Sequence, residues 1–216
     1  WFKTRCISKQ TLDDLRVTEG AEYMPQTSQS ENAIQFNYFM GDQLINVKYR
    51  DGRKNFKLYK GAEKVFYNIN SVVGYDWCVI VEGEMDVLAL HESGIKNVIS
   101  VPNGATLNSN NLDYLDNCID YLDDKTKIIL AVDADEAGQA LRQEFIRRLG
   151  AEVCYLVDFG GIKDANDYLI EKGKDALRGV IHGARQVPLE GVSTLRDVEG
   201  ELVDFVNNGF KPGFQV

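Results

Sequence analysis

The sequence predicts an α/β fold in which a parallel sheet flanked by helices follows a small α+β segment. From residue 75 onward, short apolar runs alternate with helical stretches, a pattern typical of parallel strands joined by helices. Residues 33–67 instead alternate apolar and polar side chains, which is typical of antiparallel strands. Acidic residues follow directly after two of the later apolar runs. These observations indicate a binding or catalytic site carried by the parallel sheet.

The first part of the chain, residues 1–73, is predicted to form a small subdomain of its own. Residues 4–17 read as a helix, with Ser8 as a possible N-cap. The polar stretch 20–32 reads as a loop. Three strands and two turns rich in Gly and Asp follow in residues 33–67, and they predict a small antiparallel sheet.

The second part, residues 74–186, is predicted to be the parallel α/β domain. Four apolar runs read as its strands, at residues 77–81, 97–101, 127–132 and 153–157. Five helical stretches accompany them, at residues 85–93, 112–122, 136–149, 165–171 and 175–184. Glycines close the helices that end near residues 93 and 149, as expected for helix C-termini.

The remaining residues, 187–216, are predicted to form a linker with an amphipathic helix at 194–206. The apolar side of this helix either packs back on the preceding domain or docks on a neighbouring subunit, and the sequence leaves both options open. The chain begins with Trp1 and is interpreted as a fragment of a longer protein.

The charge of the chain is unevenly distributed. The formal net charge is −9, which argues against nonspecific nucleic-acid binding. Residues 1–60, however, contain 10 lysines and arginines against 7 acidic residues, and the rest of the chain contains 14 against 26. The basic N-terminal part is therefore the expected phosphate-binding side, and the acidic part is a candidate for divalent metal binding, which reverses the local charge.

Other sequence features bear on the location of the protein. The four cysteines form no C-x-x-C pair, so a structural zinc site is not predicted. Cys78 and Cys154 lie in apolar runs and read as reduced core thiols, which suits a cytoplasmic protein. No stretch is long and apolar enough for a membrane span, and no membrane partner is expected.

The first candidate site residues follow the strand at 77–81. Glu82 comes directly after it, at the carboxyl end, where ligands bind in parallel α/β sheets. Gly83 permits a tight turn into the next helix. Asp86 lies in the first turn of that helix, where it either faces the same crevice as Glu82 or complements the helix dipole.

Asp133 and Asp135 follow the strand at 127–132. Residues at positions i and i+2 of an extended segment project to the same side, so the two carboxylates repel each other unless a cation lies between them. Hard oxygen ligands suit Mg²⁺ or Mn²⁺. Together with Glu82, at the end of another strand, the two aspartates predict a divalent-metal site.

Two further positions allow a structural and a functional reading. Asp164 follows the strand at 153–157 and either caps the next helix or adds a metal ligand. Gly104 follows the strand at 97–101 and is either part of an ordinary turn or a close backbone approach to a phosphate.

These motifs resemble the two signatures of the TOPRIM family. The segment VIVEGEMD at 79–86 resembles its strand followed by Glu-Gly-x-x-Asp, and AVDADEAG at 131–138 resembles its Asp-x-Asp-x-x-Gly. Their separation of about 50 residues also fits, and the resemblance covers roughly residues 75–170. It implies the TOPRIM fold, a Rossmann-like parallel sheet flanked by helices.

The flanking segments resemble phage-type primase–helicases and Twinkle-like helicases. The stretch RCISKQT at 5–11 resembles their Arg-Gly-Ile-Ser-x-x-Thr, with Cys6 in place of the glycine that many of them have. Residues 49–57, YRDGRKNFK, resemble their strand and turn with Arg and Lys, and residues 163–167, KDAND, resemble their Lys-Asp-Ala-Asn-Glu. The tail resembles the linker that leads into a hexameric RecA-type helicase domain.

The resemblance implies a DNA primase that makes RNA primers from nucleoside triphosphates on single-stranded DNA, in a bacterial or phage-infected cytoplasm. The acidic residues implied to be catalytic are Glu82, Asp86, Asp133 and Asp135. The residues implied to bind Mg²⁺ or Mn²⁺ are Glu82, Asp133, Asp135, Asp164 and Asp167. The residues implied to contact nucleotide or DNA are Arg50, Lys54, Lys57, Gly104 and Lys163. For each basic residue, a solvated surface position is the alternative.

Two other functions stay open at this stage. The first is a noncatalytic DNA-binding and assembly module of a replicative helicase, in which the carboxylates form a structural centre. The second is a TOPRIM nuclease or topoisomerase, which the primase-like N-terminal segment disfavours. The chain contains no Walker A pattern, so ATP hydrolysis by a helicase motor is not expected of it.

Overall fold

Two sheets organise the chain, and each follows the pattern of its own stretch of sequence. The computed structural model describes residues 1–104 and 112–188. Residues 18–58 contain a four-stranded antiparallel sheet, and residues 77–186 contain a five-stranded sheet in which four adjacent strands are parallel. The predicted α/β class with an α+β N-terminal part is confirmed.

The antiparallel sheet consists of β1 Thr18–Met24, β2 Gln29–Met40, β3 Gln43–Asp51 and β4 Phe56–Leu58, in that order. The prediction of a loop at residues 20–32 is wrong, because β1 and the start of β2 pair there as a hairpin, with Met24 opposite Gln29. Met24 is the one residue of β1 that is buried. With polar side chains on both of its faces, β1 lacks the apolar alternation by which strands are detected in a sequence.

The antiparallel sheet curls so that the β1–β2 hairpin reaches β4. Lys57 Nζ donates hydrogen bonds to Glu22 Oε1 and to the Tyr23 carbonyl oxygen, both at 2.6 Å, and Gln26 Nε2 donates to the Phe56 carbonyl oxygen at 2.8 Å. The curl covers a small apolar cluster of Met24, Ala33 and Tyr49. One face of the sheet is thereby buried against its own hairpin. The other face packs on the parallel domain.

The chain enters through a short 3-10 helix, Phe2–Arg5, and then α1, Lys9–Asp14. The prediction of one helix over residues 4–17 is therefore correct in its middle only, while Ser8 is the N-cap and accepts a hydrogen bond from Thr11 N as predicted. Cys6 separates the two helices in the left-handed region, with φ 59°. That conformation favours glycine, the residue that the resembled Arg-Gly-Ile-Ser motif has at this position.

Replacing Cys6 with glycine is expected to raise the free energy of unfolding by about 0.5–1 kcal/mol, because the left-handed backbone no longer carries a Cβ atom. The control is Cys6→Ala, which keeps Cβ and should be no more stable than the wild type. Urea unfolding of the three proteins tests this expectation. A Cys6→Gly protein no more stable than the Cys6→Ala protein would contradict it.

The parallel domain places strands and helices close to their predicted positions. Its strands are β5 Trp77–Val81, β6 Val98–Ser100, β7 Lys127–Leu130, β8 Cys154–Leu156 and β9 Arg185–Gln186. Its helices are α2 Glu84–Glu92, α3 Asp113–Asp116, α4 Glu136–Leu149, α5 Ala165–Lys172 and α6 Lys174–His182, and short 3-10 helices lie at Ile69–Val72 and Ile119–Tyr121. The long helix predicted over residues 112–122 is in fact α3 followed by a 3-10 turn.

The two sheets share one apolar core. Ile7, Phe36 and Tyr38 of the N-terminal part lie in the same buried cluster as Ile80 and Leu130 of the parallel sheet. A boundary at residue 73 therefore separates two sheets but not two cores, and it stays a prediction. Because residues of both sheets pack in one core, the geometry of the parallel sheet depends on both parts.

Glu92, at the end of α2, joins the N-terminal segment to the parallel domain. Its Oε2 accepts hydrogen bonds from Ser8 N at 3.0 Å, Ser8 Oγ at 2.7 Å and Thr11 Oγ1 at 2.5 Å, and its Oε1 contacts Lys174 Nζ at 2.5 Å. Burial alone would raise the pKa of Glu92, but the hydrogen bonds from Lys174, Thr11 and Ser8 hold it at about 2. The carboxylate is therefore a charged anchor between α1, α2 and α6.

Replacing Glu92 with glutamine is expected to lower the free energy of unfolding at pH 7 by about 1–3 kcal/mol, because the hydrogen bonds from Lys174, Thr11 and Ser8 lose their charged acceptor. The pKa of Glu92 is lower in the folded chain than its ordinary 4.5, so its stabilisation is present above pH 4.5 and lost as the pH falls toward 2. Urea unfolding of wild type and variant should therefore converge near pH 2. A difference that does not change with pH, or an equal loss in the surface control Glu171→Gln, would disprove the anchor.

Two remaining expectations concern the rest of the chain. In residues 1–104 and 112–188, no helix is long and apolar enough to cross a membrane. Cys78 and Cys154 are buried free thiols as predicted, and burial raises the pKa of Cys78 to about 12. The predicted linker helix at 194–206 lies outside the described residues.

Candidate active site

The strand order brings four loops to one edge of the parallel sheet. Strand β5 lies between β6 and β7, and β7 pairs with β8, all in parallel. Gly104, Glu82, Asp133 and Asp164 follow β6, β5, β7 and β8 respectively. The carboxyl ends of these four strands therefore present the predicted site residues side by side.

Glu82 links the loops after β5 and β7. Its Oε1 accepts a hydrogen bond from the Asp133 backbone N–H at 2.9 Å. A Cβ atom at Gly138 would lie 2.5 Å from this same oxygen and still closer to the Asp133 carbonyl oxygen. The glycine of the Asp-x-Asp-x-x-Gly signature is thus explained by packing. Only glycine lets α4 approach Glu82 and the Asp133 carbonyl oxygen this closely.

Asp86 is the most buried carboxyl of the site. It lies in the first turn of α2, is 7% exposed, and its Oδ1 accepts a hydrogen bond from Asn166 N at 3.0 Å. Burial raises the pKa of Asp86 well above its ordinary range, and the nearby charges of Asp164, Asp133 and Glu82 raise it further. Four carboxyl groups from three loops therefore lie within electrostatic reach of one another.

Asp133 is half-buried and, within residues 1–104 and 112–188, pairs with one cation. Lys163 Nζ lies 3.4 Å from Asp133 Oδ2 and 4.0 Å from Asp164 Oδ2. Burial raises the pKa of Asp133, the Lys163 ammonium partly offsets this, and Asp164 and Asp135 add to the increase. Crowded carboxylates that destabilise each other's charge are the donor set that a divalent cation relieves, so these residues fit Mg²⁺ or Mn²⁺.

The carboxylates are not yet arranged as ligands. Over residues 1–104 and 112–188, no three Asp, Glu, His or Cys side chains stand as a set that could hold a metal ion. Asp135 Oδ1 instead accepts from Gly138 N at 2.9 Å, and Asp164 Oδ1 accepts from Asp167 N at 2.8 Å, so both are helix N-caps. The capping alternative for Asp164 is thus observed, and metal binding would require side-chain rotation.

Asp167 faces the N-terminal segment and not the other carboxylates. Its Oδ1 lies 3.4 Å from Arg5 Nη1, which also donates to Asn166 Oδ1 at 3.1 Å. Asn166 Nδ2 in turn donates to the Arg5 carbonyl oxygen at 3.1 Å. Residues 163–167 therefore hold residues 5–8 beside the acidic edge, which is the edge of the parallel sheet that carries Glu82, Asp86, Asp133 and Asp164.

Sequence reasoning missed a buried ion pair next to the site. Lys48 Nζ on β3 lies 2.9 Å and 3.1 Å from the two carboxylate oxygens of Glu84, and Tyr38 Oη donates to Glu84 Oε1 at 2.5 Å. The side chains of Lys48 and Glu84 are 12% and 5% exposed. Nothing in the spacing of Lys48 signals this contact, since it joins elements 36 residues apart.

The predicted basic residues differ in their surroundings. The Arg50 guanidinium stacks 4.2 Å from the Trp1 ring centroid and 5.8 Å from that of Phe56. Burial lowers the pKa of Arg50, and the nearby charge of Arg5 lowers it further. Lys54 is exposed in the β3–β4 turn with φ 65°, whereas Lys57 is paired with Glu22 on the curled hairpin.

Gly104 has a positive φ of 69°, and among the described residues a Cβ atom there would meet nothing within 4 Å. Its glycine is therefore explained by backbone conformation and not by crowding. The residues that follow it, 105–111, lie outside the described part of the chain.

The comparison with known families places this domain. Residues 79–169 match the Toprim-like family, which agrees with the stretch from 75 to 170 that carries the two signatures. The primase homolog protein of Arabidopsis thaliana is 36% identical over 207 residues, which are 88% of this chain and 60% of that protein. The Twinkle homolog protein, chloroplastic/mitochondrial, of the same plant is 32% identical over 219 residues, 94% of this chain and 30% of that protein.

The fold comparison gives the same assignment. The crystal structure of the primase fragment of the bacteriophage T7 primase-helicase protein superposes with a TM-score of 0.70 and 25% identity, over 83% of this chain and 72% of that fragment. Residues 79–169 are thus a Toprim-like domain, and its fold is shared with this primase fragment. The chain as a whole is similar to the primase parts of phage-type primase–helicases and Twinkle-like proteins.

Proposed function

We propose that this chain is the RNA-polymerising part of a metal-dependent DNA primase, a nucleotidyltransferase that uses single-stranded DNA as its template. The observation that carries the proposal is the convergence of Glu82, Asp86, Asp133 and Asp164 at one edge of the parallel sheet. Carboxyl groups whose charges raise one another's pKa create a strong demand for a divalent cation. The similarity to named primases supplies the reaction class.

Mg²⁺ or Mn²⁺ would be held by Asp133 and Asp164, with Glu82 or Asp135 completing the set. Asp167 could join them only after leaving Arg5. When bound, the metal neutralises the triphosphate and stabilises negative charge on the attacking and leaving oxygens. Asp133 can present its carboxylate because its loop is fixed by the hydrogen bond to Glu82. Asp86 accepts the Asn166 N–H, which joins the first turn of α2 to α5, and it is proposed as a catalytic carboxyl of the same set.

Arg50 is the best supported of the proposed phosphate ligands. It is 7% exposed, and its one side-chain hydrogen bond to the described residues goes to the Asp51 carbonyl oxygen at 3.5 Å. Asp51 partly offsets its charge, while Arg5, a second guanidinium nearby, pairs with Asp167. Because guanidinium groups bind phosphate oxygens through charge-assisted hydrogen bonds, Arg50 is proposed to contact a nucleotide or template phosphate. Lys54, Lys57, Lys163 and the Gly104 backbone are proposed to contact the same ligands, Lys57 after release from Glu22.

The partner proposed for the parent protein is a hexameric RecA-type helicase domain in the same chain. The chain spans about 60% and 30% of the length of the two Arabidopsis relatives described above, and the T7 protein of known structure is named a primase-helicase. The segment at 187–216 is the proposed connection.

One observation favours a second function, the noncatalytic DNA-binding and assembly module. The carboxylates of Glu82, Asp135 and Asp164 each accept a backbone N–H and thus also stabilise the loops. A centre that serves only the fold would keep these bonds without chemistry. The same acidic edge in a nuclease would degrade DNA and not extend RNA.

The two functions separate when DNA binding and synthesis are measured on the same protein. Wild type and Asp133→Asn are mixed with fluorescein-labelled single-stranded DNA, and with nucleoside triphosphates and Mg²⁺ or Mn²⁺. A primase gives oligoribonucleotides in the wild type only, with similar DNA affinity in both proteins. Binding without synthesis in the wild type would support the noncatalytic module, and shortening of the DNA would support a nuclease.

A further inference from the structure

The acidic edge already contains one cation, the ammonium group of Lys163. It lies 3.4 Å from Asp133 Oδ2 and 4.0 Å from Asp164 Oδ2. The Lys163 side chain is 64% exposed, whereas those of Asp133 and Asp164 are 14% and 19% exposed. A long solvated side chain therefore reaches two half-buried carboxylates from the solvent side.

These two carboxylates need a counter-ion in the metal-free protein. Glu82 and Asp86 lie close enough for their charges to add to those of Asp133 and Asp164. The backbone N–H groups that three of these residues accept lower this repulsion but carry no net charge. Of the Lys, Arg and His side chains in residues 1–104 and 112–188, Lys163 is the one paired with Asp133 or Asp164 within 4.0 Å.

We propose that Lys163 is a positioning residue that takes the place of the divalent cation, holding Asp133 and Asp164 together in the metal-free protein and competing with the metal for them. This inference rests on the proposed function, because it assumes that the carboxylates bind a metal. It differs from a role for Lys163 as a phosphate ligand alone, since it predicts an effect when no nucleotide is present.

Because Lys163 and the metal compete for the same carboxylates, the direction of the change in metal affinity can be predicted. A metal ion that enters must break the Lys163 contacts and then repels the ammonium group. Removing the ammonium group therefore leaves the carboxylates more negative and makes metal binding tighter. A partly exposed ion pair of this kind corresponds to a gain in affinity of about two- to fivefold.

The test measures Mn²⁺ binding to the nucleotide-free protein by electron paramagnetic resonance of the free ion. The variants are Lys163→Met, which removes the charge, and Lys163→Arg, which keeps it. The matched control is Lys172→Met, which removes a half-exposed lysine that pairs with Glu171 on the same helix. We expect about two- to fivefold tighter binding for Lys163→Met alone.

A second readout uses the same proteins without a binding assay. The melting temperature of metal-free Lys163→Met should be lower than that of the wild type, because the repulsion between carboxylates is then uncompensated. Saturating Mn²⁺ should remove this deficit, since the metal supplies the missing charge. Lys163→Gln repeats the comparison if the methionine variant folds poorly.

Each result of the Mn²⁺ binding measurement supports or overturns the proposed role of Lys163. Unchanged or weaker Mn²⁺ binding in Lys163→Met, with binding intact in the wild type, would overturn the role of Lys163 while leaving the metal site standing. Absence of Mn²⁺ binding in all four proteins would overturn the metal site of the proposed function, and the counter-ion role with it. An equal gain in Mn²⁺ affinity in Lys172→Met would show that the effect comes from the net charge of the protein and not from the contact of Lys163 with the carboxylates.

Discussion

Replacing Glu82 with glutamine is expected to reduce oligoribonucleotide synthesis by about 10²–10³-fold while leaving the protein folded. Glutamine keeps the side-chain oxygen that accepts the Asp133 N–H, so the loops after β5 and β7 stay joined. It removes one negative charge from the group formed with Asp86, Asp133 and Asp164, and thus part of the demand for a metal ion. Primer synthesis and Mn²⁺ binding on the same preparation measure both consequences.

The matched control for this change is Glu136→Gln. Glu136 is an exposed residue in the first turn of α4. It is near the site in sequence but is not one of the four carboxylates of the acidic edge. It should retain wild-type synthesis. Retention of more than a tenth of the activity by Glu82→Gln, in a protein that melts normally, would remove Glu82 from the proposed catalytic set.

The second large effect is expected for Gly138→Ala. The new Cβ atom would meet the Asp133 carbonyl oxygen and lie 2.5 Å from Glu82 Oε1, so α4 must move away from the strand ends. Overpacking of this kind is expected to lower the free energy of unfolding by about 2–3 kcal/mol. Synthesis should fall with it, because the displaced atoms belong to the two loops that form the acidic edge.

Gly179→Ala is the matched control for this second change. Gly179 lies inside α6, and a Cβ atom there would meet no atom of the described residues within 4 Å. The substitution should raise the free energy of unfolding by about 0.5–1 kcal/mol, because alanine favours the helix. Urea unfolding of both variants checks the pair. Equal effects at the two positions would show that the crowding at Gly138 is tolerated.

The parts of the fold with a strong local signal could be predicted from the sequence. The strand Trp77–Val81 and the helix Glu136–Leu149 have the predicted bounds, because a buried apolar run and a capped amphipathic helix are each complete within one segment. The convergence of Glu82, Asp86 and Asp133 follows from the same reasoning, since carboxyl ends of parallel strands meet at one edge.

The features that were missed depend on contacts between distant segments. Strand β1 has polar residues on both faces and is specified by pairing with β2 and by the curl of the sheet. The ion pair of Lys48 with Glu84 joins the antiparallel sheet to helix α2, and no spacing within one segment predicts it. Asp135 was expected as a ligand, and its capping bond to Gly138 N is seen only once α4 is in place.

The most direct test of the proposed primase activity is template dependence of nucleotide incorporation. Labelled ATP is supplied with Mg²⁺ or Mn²⁺ on oligo(dT) and, in a parallel reaction, on oligo(dA), with UTP as the reciprocal label. The proposal predicts oligo(A) on oligo(dT) alone, oligo(U) on oligo(dA) alone, and neither after addition of EDTA. Incorporation that ignores the template, or none by a folded protein that binds both Mn²⁺ and DNA, would contradict a primase.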